Sequence, residues 1–544
     1  VKNGGLLIYP VQRAPLELAE QNRQLLETSP CEVAGSSLRE FRGRARAELL
    51  ERVRSSALNR LAAGLNQSAE HGRPDLWLVT GHQPVLAHPG VWVKHAAVAA
   101  LTAQAGAGVI GLNLVVDTDL LGQPGTLVPV GTRDAPRQEL VRFLSTGAAQ
   151  PWEEVSVTGD PLLESWGDRV TQLLQPWGIT PLAGTYWETV RASSERSLAV
   201  RFTAARCAQE QCWGWQNHEC LLSEVAGLPA FGAFLGTLAA AAPQFAEIYN
   251  ASVREYRRRN HIRSLSHPVP ELAASQGRVE LPCWAWRKGD LQRLGVLCEP
   301  AGKGYLLSAG ETPIGRLLQQ SASAEELGLE LEPGWKLRPR ALLTTLFARL
   351  CLADLFIHGI GGAKYDEITD QIIRQFFGIE PPAYLTVTAT LRLPLPLSGV
   401  QGADLQRLRE HVRDLQFNPD RALKLADDHP LVARKQQLLH EVANQRAVRV
   451  SRAVCRQRRA ANRQRHLALL RIQQELAGLA HHAREQALED LQRLSREWQL
   501  DRLLGSREYA AVLHPEPNIR QLLDHCREVI CLPAAQLAAE TDRG

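Results

Sequence analysis

Methionine is absent from all 544 residues, so the apolar stripes of this chain are built from aliphatic, alanine and aromatic side chains. Long apolar runs are absent as well, and none approaches the roughly 18–20 residues that a bilayer-spanning helix requires. The short apolar stretch in VKNGGLLIYPVQRAP is cut by Pro10 and is read as neither a signal peptide nor an anchor. No sign of charge dominates: Lys+Arg 62 against Asp+Glu 58 leaves +4, too little to point to a polyanion, so neither a membrane nor a nucleic-acid partner is expected. The ten cysteines are scattered rather than spaced as a disulfide framework, which is the usage of reduced thiols in a cytoplasm.

A chain of this length exceeds one hydrophobic core, and two to four units are expected. Leu38, Phe41, Ala45, Leu49, Val53, Ala57 and Leu61 fall on one face of a helix. An apolar run at 76–79, a Gly/Pro/His-rich loop, a helical stretch at 92–104 and a second apolar run at 109–116 then make a βαβ unit, which argues for an α/β fold with a parallel sheet. Short strand-like pieces follow (VELPCWAW, LGVLCEP, GYLLS), then a helical pattern at 340–356, the glycine loop at His358 and a further helix to Phe377. Leu385, Val387, Ala389, Leu391 and Leu393 alternate with polar residues as a half-buried strand does. From about Ala403 the pattern is helical, and Ile472, Leu476, Leu479, Ala483, Ala487, Leu491, Leu494 and Trp498 form a stripe that needs a partner helix. The chain therefore divides into an N-terminal helical segment (1–70), a core in two parts (71–262 and 331–396), an inserted β-containing connective segment (263–330), a helical coiled-coil arm (397–515) and a tail packed on the core (516–544).

Chemistry in parallel sheets gathers at the carboxyl ends of strands. Three groups are expected there, lining one cleft. The first is Thr80-Gly81-His82-Gln83-Pro84 with His88-Pro89-Gly90, between a strand and the positive end of a helix, where two imidazoles and free N–H groups suit an anion. The second is Asp117 with Asp119, as a base, an ammonium ligand or a Mg²⁺ ligand; at most one of the two is expected to face the cleft. The third is His358-Gly359-Ile360-Gly361-Gly362-Ala363-Lys364-Tyr365-Asp366, a glycine loop read as joining two helices and letting backbone approach a ligand, preceded by Arg338-Pro339-Arg340. Trp213-Gly214-Trp215-Gln216-Asn217 offers a stacking surface at Trp215 with an amide at Asn217. Cys207, Cys212, His218 and Cys220 fit no usual zinc spacing, and no metal ligands are assigned. The arginines 446, 449, 452, 456, 458, 459, 463 and 465 spread around their helix as a solvated surface does, not along a nucleic-acid face.

Taken together these motifs resemble the bacillithiol-biosynthesis cysteine-adding enzymes, a family of proposed cysteine ligases. GHQPVLAHPGVWVK resembles the family's Gly-Gln-Gln loop, VVDTD its acidic strand end, and LRPR, GIGGAKYD, the FFG turn and TATLRL its later core motifs. His82 stands where the family has Gln, His88 where it has Thr, and Gly359-Ile360-Gly361-Gly362 lacks the acidic residue of the family's Gly-Pro-Gly-Glu loop. The resemblance implies a Rossmann-like core related to nucleotidyltransferases and an arm that makes a homodimer. It also implies joining of a cysteine-like carboxylate to an amine on a sugar-containing acceptor, with ATP or ADP as the cofactor to consider. His82, His88, Asp117 and Asp119 would then carry the chemistry. Gly81, Gln83, Gly90, Lys94, Trp215, Asn217, Arg338, His358, Gly359, Gly361, Gly362, Tyr365 and Asp366 would hold substrate or nucleotide. Two other readings stay open: a metal-dependent hydrolase using His82, His88, Asp117 and His358, and a non-catalytic nucleotide-binding scaffold.

Overall fold

The computed structural model describes residues 2–56, 58, 76–145, 149–275, 277–290, 292–318, 328–445 and 452–543. The chain is a mixed α/β protein in two compact units, one of Val1–Thr132, Arg137–Pro394 and Arg507–Gly544, the other of Arg133–Pro136 and Leu395–Ser506. No helix of the described residues is long and apolar enough to cross a membrane.

In the first unit the elements that position the site are, in chain order, β1 (Leu6–Tyr9), α1 (Pro15–Glu27), α2 (Leu38–Ser55), β2 (Leu76–His82), α3 (Pro89–Ala105), β3 (Val109–Val115), α4 (Leu198–Cys212), β4 (His218–Leu221), α5 (Pro229–Ala240) and α6 (Ala242–Arg259). There follow β5 (Arg278–Arg287), β6 (Leu294–Ala301), β7 (Gly304–Ala309), β8 (Thr312–Leu318), β9 (Leu329–Leu331), β10 (Trp335–Pro339), α7 (Ala341–Phe347), β11 (Leu355–His358), α8 (Ile360–Phe376) and β12 (Tyr384–Ala389). The main sheet has the order β1-β12-β11-β2-β3-β4. Only β1 runs antiparallel, against β12, and the other pairs are parallel. The inner strands (LWLVTGH, VIGLNLV, LFIH) are near-continuous apolar runs because helices cover both faces. Each fully buried Leu, Ile or Val there contributes roughly 1.5–3 kcal/mol.

Trp77, Val79, Leu112, Leu114 and Phe356 point into the core built with α2, α5, α7 and α8. Their neighbours along the strands, including Asn113 and Val115, point to the other face, against α3 and α4. The helix α3 starts cleanly, with His88 as N-cap accepting from the Gly90 N–H at 3.1 Å and Pro89 at its first position, and it ends at Gly106, whose φ of +79° suits glycine.

Several expectations are corrected here. The N-terminal segment supplies the edge strand β1 as well as helices. Thr80, Gly81 and His82 belong to β2 rather than to the loop after it. The helical pattern at 340–356 is a short helix, a π-turn at Ala348–Leu352 and then β11, so the His358 loop joins a strand to a helix, not two helices. A run of three apolar residues, Leu355-Phe356-Ile357, has no period that tells strand from helix. The strand at 385–393 ends at Ala389 and is buried on both faces, because α3 and α8 pack against it while β1 and β11 pair with its edges. The antiparallel sheet β5–β10 draws in Trp335–Pro339, beyond the 263–330 limits of the expected insertion.

The second unit holds α9 (Gly402–Phe417), α10 (Pro430–Gln445), α11 (Arg452–Leu479) and α12 (His481–Leu504). The expected single stripe is therefore divided at Ala480. Its buried members are covered from within the chain: Ile472 and Leu476 pack with Leu438 of α10, and Ala487, together with Ala480 at the break, packs with Leu415 of α9. Phe417, Leu439, Leu467, Leu470 and Leu479 stay exposed. Of the arginine-rich stretch, Arg446 and Arg449 lie outside the described residues, and Arg459 and Arg463 are solvent-facing on α11. In the first unit, α13 (Glu516–Ile530) packs on α3, where the Cys526 thiol lies 3.5 Å from the Val93 carbonyl.

Candidate functional site

The strands β2 and β11 are neighbours, yet the helices that follow them go to opposite faces of the sheet. A sheet that changes helix side in this way opens a crevice at the carboxyl ends of the two strands, where ligands of such sheets bind. Lys94 of α3 reaches into it. Its Nζ donates to the Gly81 carbonyl oxygen at 2.8 Å, and the residue is only 3% exposed. Burial pushes its ammonium down to about 7. On the other bank, Gly359 precedes the first turn of α8, where no side chain caps the free N–H groups. A Cβ added at Gly359 would sit 3.8 Å from the Lys94 side chain, and one at Gly361 would meet nothing within 4 Å. A buried ammonium beside uncapped amides is a place for an anionic group.

His82 projects from the end of β2 toward α3. Its Nδ1 lies 3.0 Å from the Gln83 carbonyl, which can only accept, so Nδ1 carries the proton and Nε2 is left as an acceptor. Burial, with the Lys94 charge adding to it, pushes the imidazole down to about 3 and keeps it neutral. The Gln83 amide donates to Asp119, which also accepts from the Leu120 N–H at 2.8 Å and pairs with Arg293 at 3.4 Å.

Asp117 is 1% exposed and accepts from both the backbone N–H and the hydroxyl of Ser223, at 2.9 and 2.5 Å. Burial outweighs those donors and, with the nearby Glu153 charge, pushes its carboxyl up to about 7. Glu153 in turn pairs with Arg338 at 2.8 Å and Lys336 at 2.9 Å, both from β10. Both aspartates thus lie past the end of β3, each turned to its own partners. Arg338 is committed to a protein carboxylate rather than to a ligand.

Other expected site residues have structural occupations. His88 caps α3. Gly90 allows close approach, since a Cβ there would meet the Ala389 carbonyl at 2.5 Å. Trp215 is buried, and Asn217 donates to the His95 carbonyl at 2.9 Å, so neither is offered to a ligand. His358 points away from His82: Ile357 is level with Thr80, which puts His358 on the Gly81 face and His82 on the opposite one. Its Nε2 meets Asp366 at 2.9 Å, and Asp366 pairs with Arg349 at 2.6 Å. Burial opposes ionisation of Asp366, but Arg349 and His358 outweigh it and hold the carboxyl below its usual range. Gly362 gives His358 room, since a Cβ there would stand 2.8 Å from Nδ1, and Tyr365 packs edge-on to His267 at 5.9 Å. The expected single cleft lined by both His82 and His358 is therefore corrected, since the two side chains lie on opposite faces of the sheet. His82, His88, Asp117 and His358 also do not converge as a metal set.

The sequence reading missed a buried polar group behind His82. Arg206 of α4 pairs with Glu210 at 2.8 Å and Glu219 at 2.6 Å, Asn113 donates to Glu219 at 2.7 Å, and Trp92 Nε1 donates to Glu210 at 2.7 Å. His95 stands 3.3 Å from Glu210. Cys207, one of the cysteines considered for zinc, gathers with Glu210 and Glu219, but the Arg206 guanidinium already bridges the two carboxylates. A legible signal was Lys94-His95 within the otherwise uncharged 91–101 stretch of α3. No family model matches the chain, and none of the curated proteins compared with it does.

Proposed function

We propose that this chain is a carbon–nitrogen ligase of the kind the cysteine-adding family represents, joining the carboxylate of a cysteine-like amino acid to the amine of a sugar-containing acceptor in a reducing cytoplasm. The observation that carries the reading is Lys94, buried between the ends of β2 and β11 beside the uncapped start of α8. In amide formation negative charge grows on the carboxylate oxygens as the amine attacks, and a buried cation with fixed N–H donors is worth most there. Asp117 lies about two strand spacings away along the sheet edge, roughly 10 Å, which leaves room for a reactant between them. A carboxyl raised to about 7 is a better proton acceptor than an ordinary aspartate, and Asp117 takes the proton that the attacking amine must lose.

Loss of water from carboxylate and amine needs a coupled exergonic step, and a nucleoside triphosphate would supply it by making the departing carboxylate oxygen a good leaving group. Lys94 and the amides from Gly361 onward are suited to hold its phosphates. In this reading the parallel sheet is a Rossmann-like core of the nucleotidyltransferase kind. The second unit is the coiled-coil arm, and its exposed Leu439, Leu467, Leu470 and Leu479 are covered by a second copy of the chain. The test is mass spectrometry of mixtures of cysteine, amino-sugar acceptors and ATP. A new species equal to the two substrates less one water is expected with the protein. Its absence across acceptors, in protein that is folded, contradicts the reading.

A further inference from the structure

Beneath the 83–88 loop lies a cavity of about 50 Å³ against the sheet face that carries His82 and Asn113, walled also by His95, Val115 and Phe202. Such a space holds one or two groups the size of water. Its polar lining is one-sided. His82 has Nδ1 committed to Gln83 and offers Nε2 as an acceptor. His95 is 4% exposed and neither ring nitrogen has a hydrogen-bond partner; with Nδ1–H turned to Glu210 at 3.3 Å, Nε2 is a bare acceptor. Asn113 gives one amide N–H to Glu219 at 2.7 Å, and its Oδ1 has no partner. Arg206 reaches the same wall, but its guanidinium is taken up by Glu210 and Glu219.

Three acceptors without partners thus border a space for one small group. Water brings two hydrogens; a primary ammonium brings three and a positive charge. Leaving several polar atoms unsatisfied in a dry site costs more than a guest that fits them. We infer that this cavity receives the α-ammonium of the amino-acid substrate, while the carboxylate of that amino acid meets Lys94, the neighbour of His95 on α3. The amino-acid part of this assignment rests on the ligase reading, whereas the preference for a primary ammonium rests on the cavity alone. Its chemical use is selectivity. A ligase that activates an amino acid must keep that amino group from acting as the nucleophile, and an amine held protonated among three acceptors has no lone pair to attack with.

The probe is methylammonium chloride, titrated into the full chain and followed by thermal shift, against potassium chloride and tetramethylammonium chloride at equal ionic strength. Stabilisation by methylammonium that neither other salt gives is expected. His95→Phe, which keeps the ring and removes the nitrogens, should weaken the methylammonium affinity by about tenfold, the effect of one lost hydrogen bond to a charged group. An equal response to potassium, or an unchanged affinity in His95→Phe, overturns the inference. If His95→Phe does not fold, the selectivity of the wild type over potassium decides by itself. No reaction is needed for this test, so selective binding without any condensation product would refute the ligase reading and leave the ammonium site standing. Condensation without selective binding would do the reverse.

Discussion

Lys94 Nζ lies 2.8 Å from the Gly81 carbonyl oxygen, so the cation is tied to the last turn of strand backbone before the crevice. That single hydrogen bond does not offset the loss of water around a nearly fully buried ammonium. The result is an amine that changes charge near neutral pH, placed where two helices diverge.

The first prediction follows from that placement. Lys94 is depressed from 10.5 to about 7 on folding, so the unfolded chain binds the extra proton between these values. The contribution of a depressed lysine is present above its unfolded pKa and is lost as pH falls toward the folded one. Lys94→Met should therefore be more stable than wild type below about pH 7, with the advantage shrinking steadily toward about pH 10. Urea unfolding of both proteins across this range checks it. A difference that does not change with pH would contradict the burial argument.

Asp117 gives the opposite sign. Its carboxyl is raised from 3.8 to about 7, so its stabilising contribution is complete below about 4 and is lost as pH rises to 7. Asp117→Asn should match wild type near pH 4 and exceed it in stability near pH 8, as read by thermal unfolding, while losing ligase turnover at both.

His88→Ala should lower stability by about 1 kcal/mol, because the imidazole caps α3, and His88→Asn should restore most of it. Equal stability of His88→Ala and wild type, with loss of ligand binding, would instead place His88 in the site.

Asp366→Asn removes the charge that Arg349 and His358 share inside the fold. Breaking one member of such a buried set costs about 3–5 kcal/mol. Denaturant midpoints report it, and a loss below 1 kcal/mol would show that the pair is not structural.

For the arm, Leu476 is fully buried within its own chain, so a charge there would disrupt the unit rather than separate copies. Leu467→Glu with Leu470→Glu, both on exposed positions, should yield monomers in sedimentation without loss of helicity. A wild-type monomer at micromolar concentration contradicts the dimer.

Some of this arrangement is legible in the sequence and some is not. The strand at 109–115 and the helical run after Gly402 follow from local chemistry, which each residue carries with it, whereas His88, read as a site residue, caps α3. The strand Leu355–His358 does not, because a run of three apolar residues fits either structure, and the His358 side chain is taken up by Asp366. His95, Asn113, Arg206, Glu210 and Glu219 are individually ordinary and come from separate stretches of the chain, at 95, 113 and 206–219. Only the pairing of β3 with β4 and the return of α4 over them bring these side chains together.

The most direct test of the central claim is the rate of condensation product in wild type and Lys94→Met, measured by mass spectrometry with cysteine, an amino-sugar acceptor and ATP. If Lys94 stabilises charge growing on the carboxylate, the variant should remain folded and form product about 10²–10³ times more slowly. Product formed at the wild-type rate by folded Lys94→Met would contradict the assignment of the crevice as the reacting site.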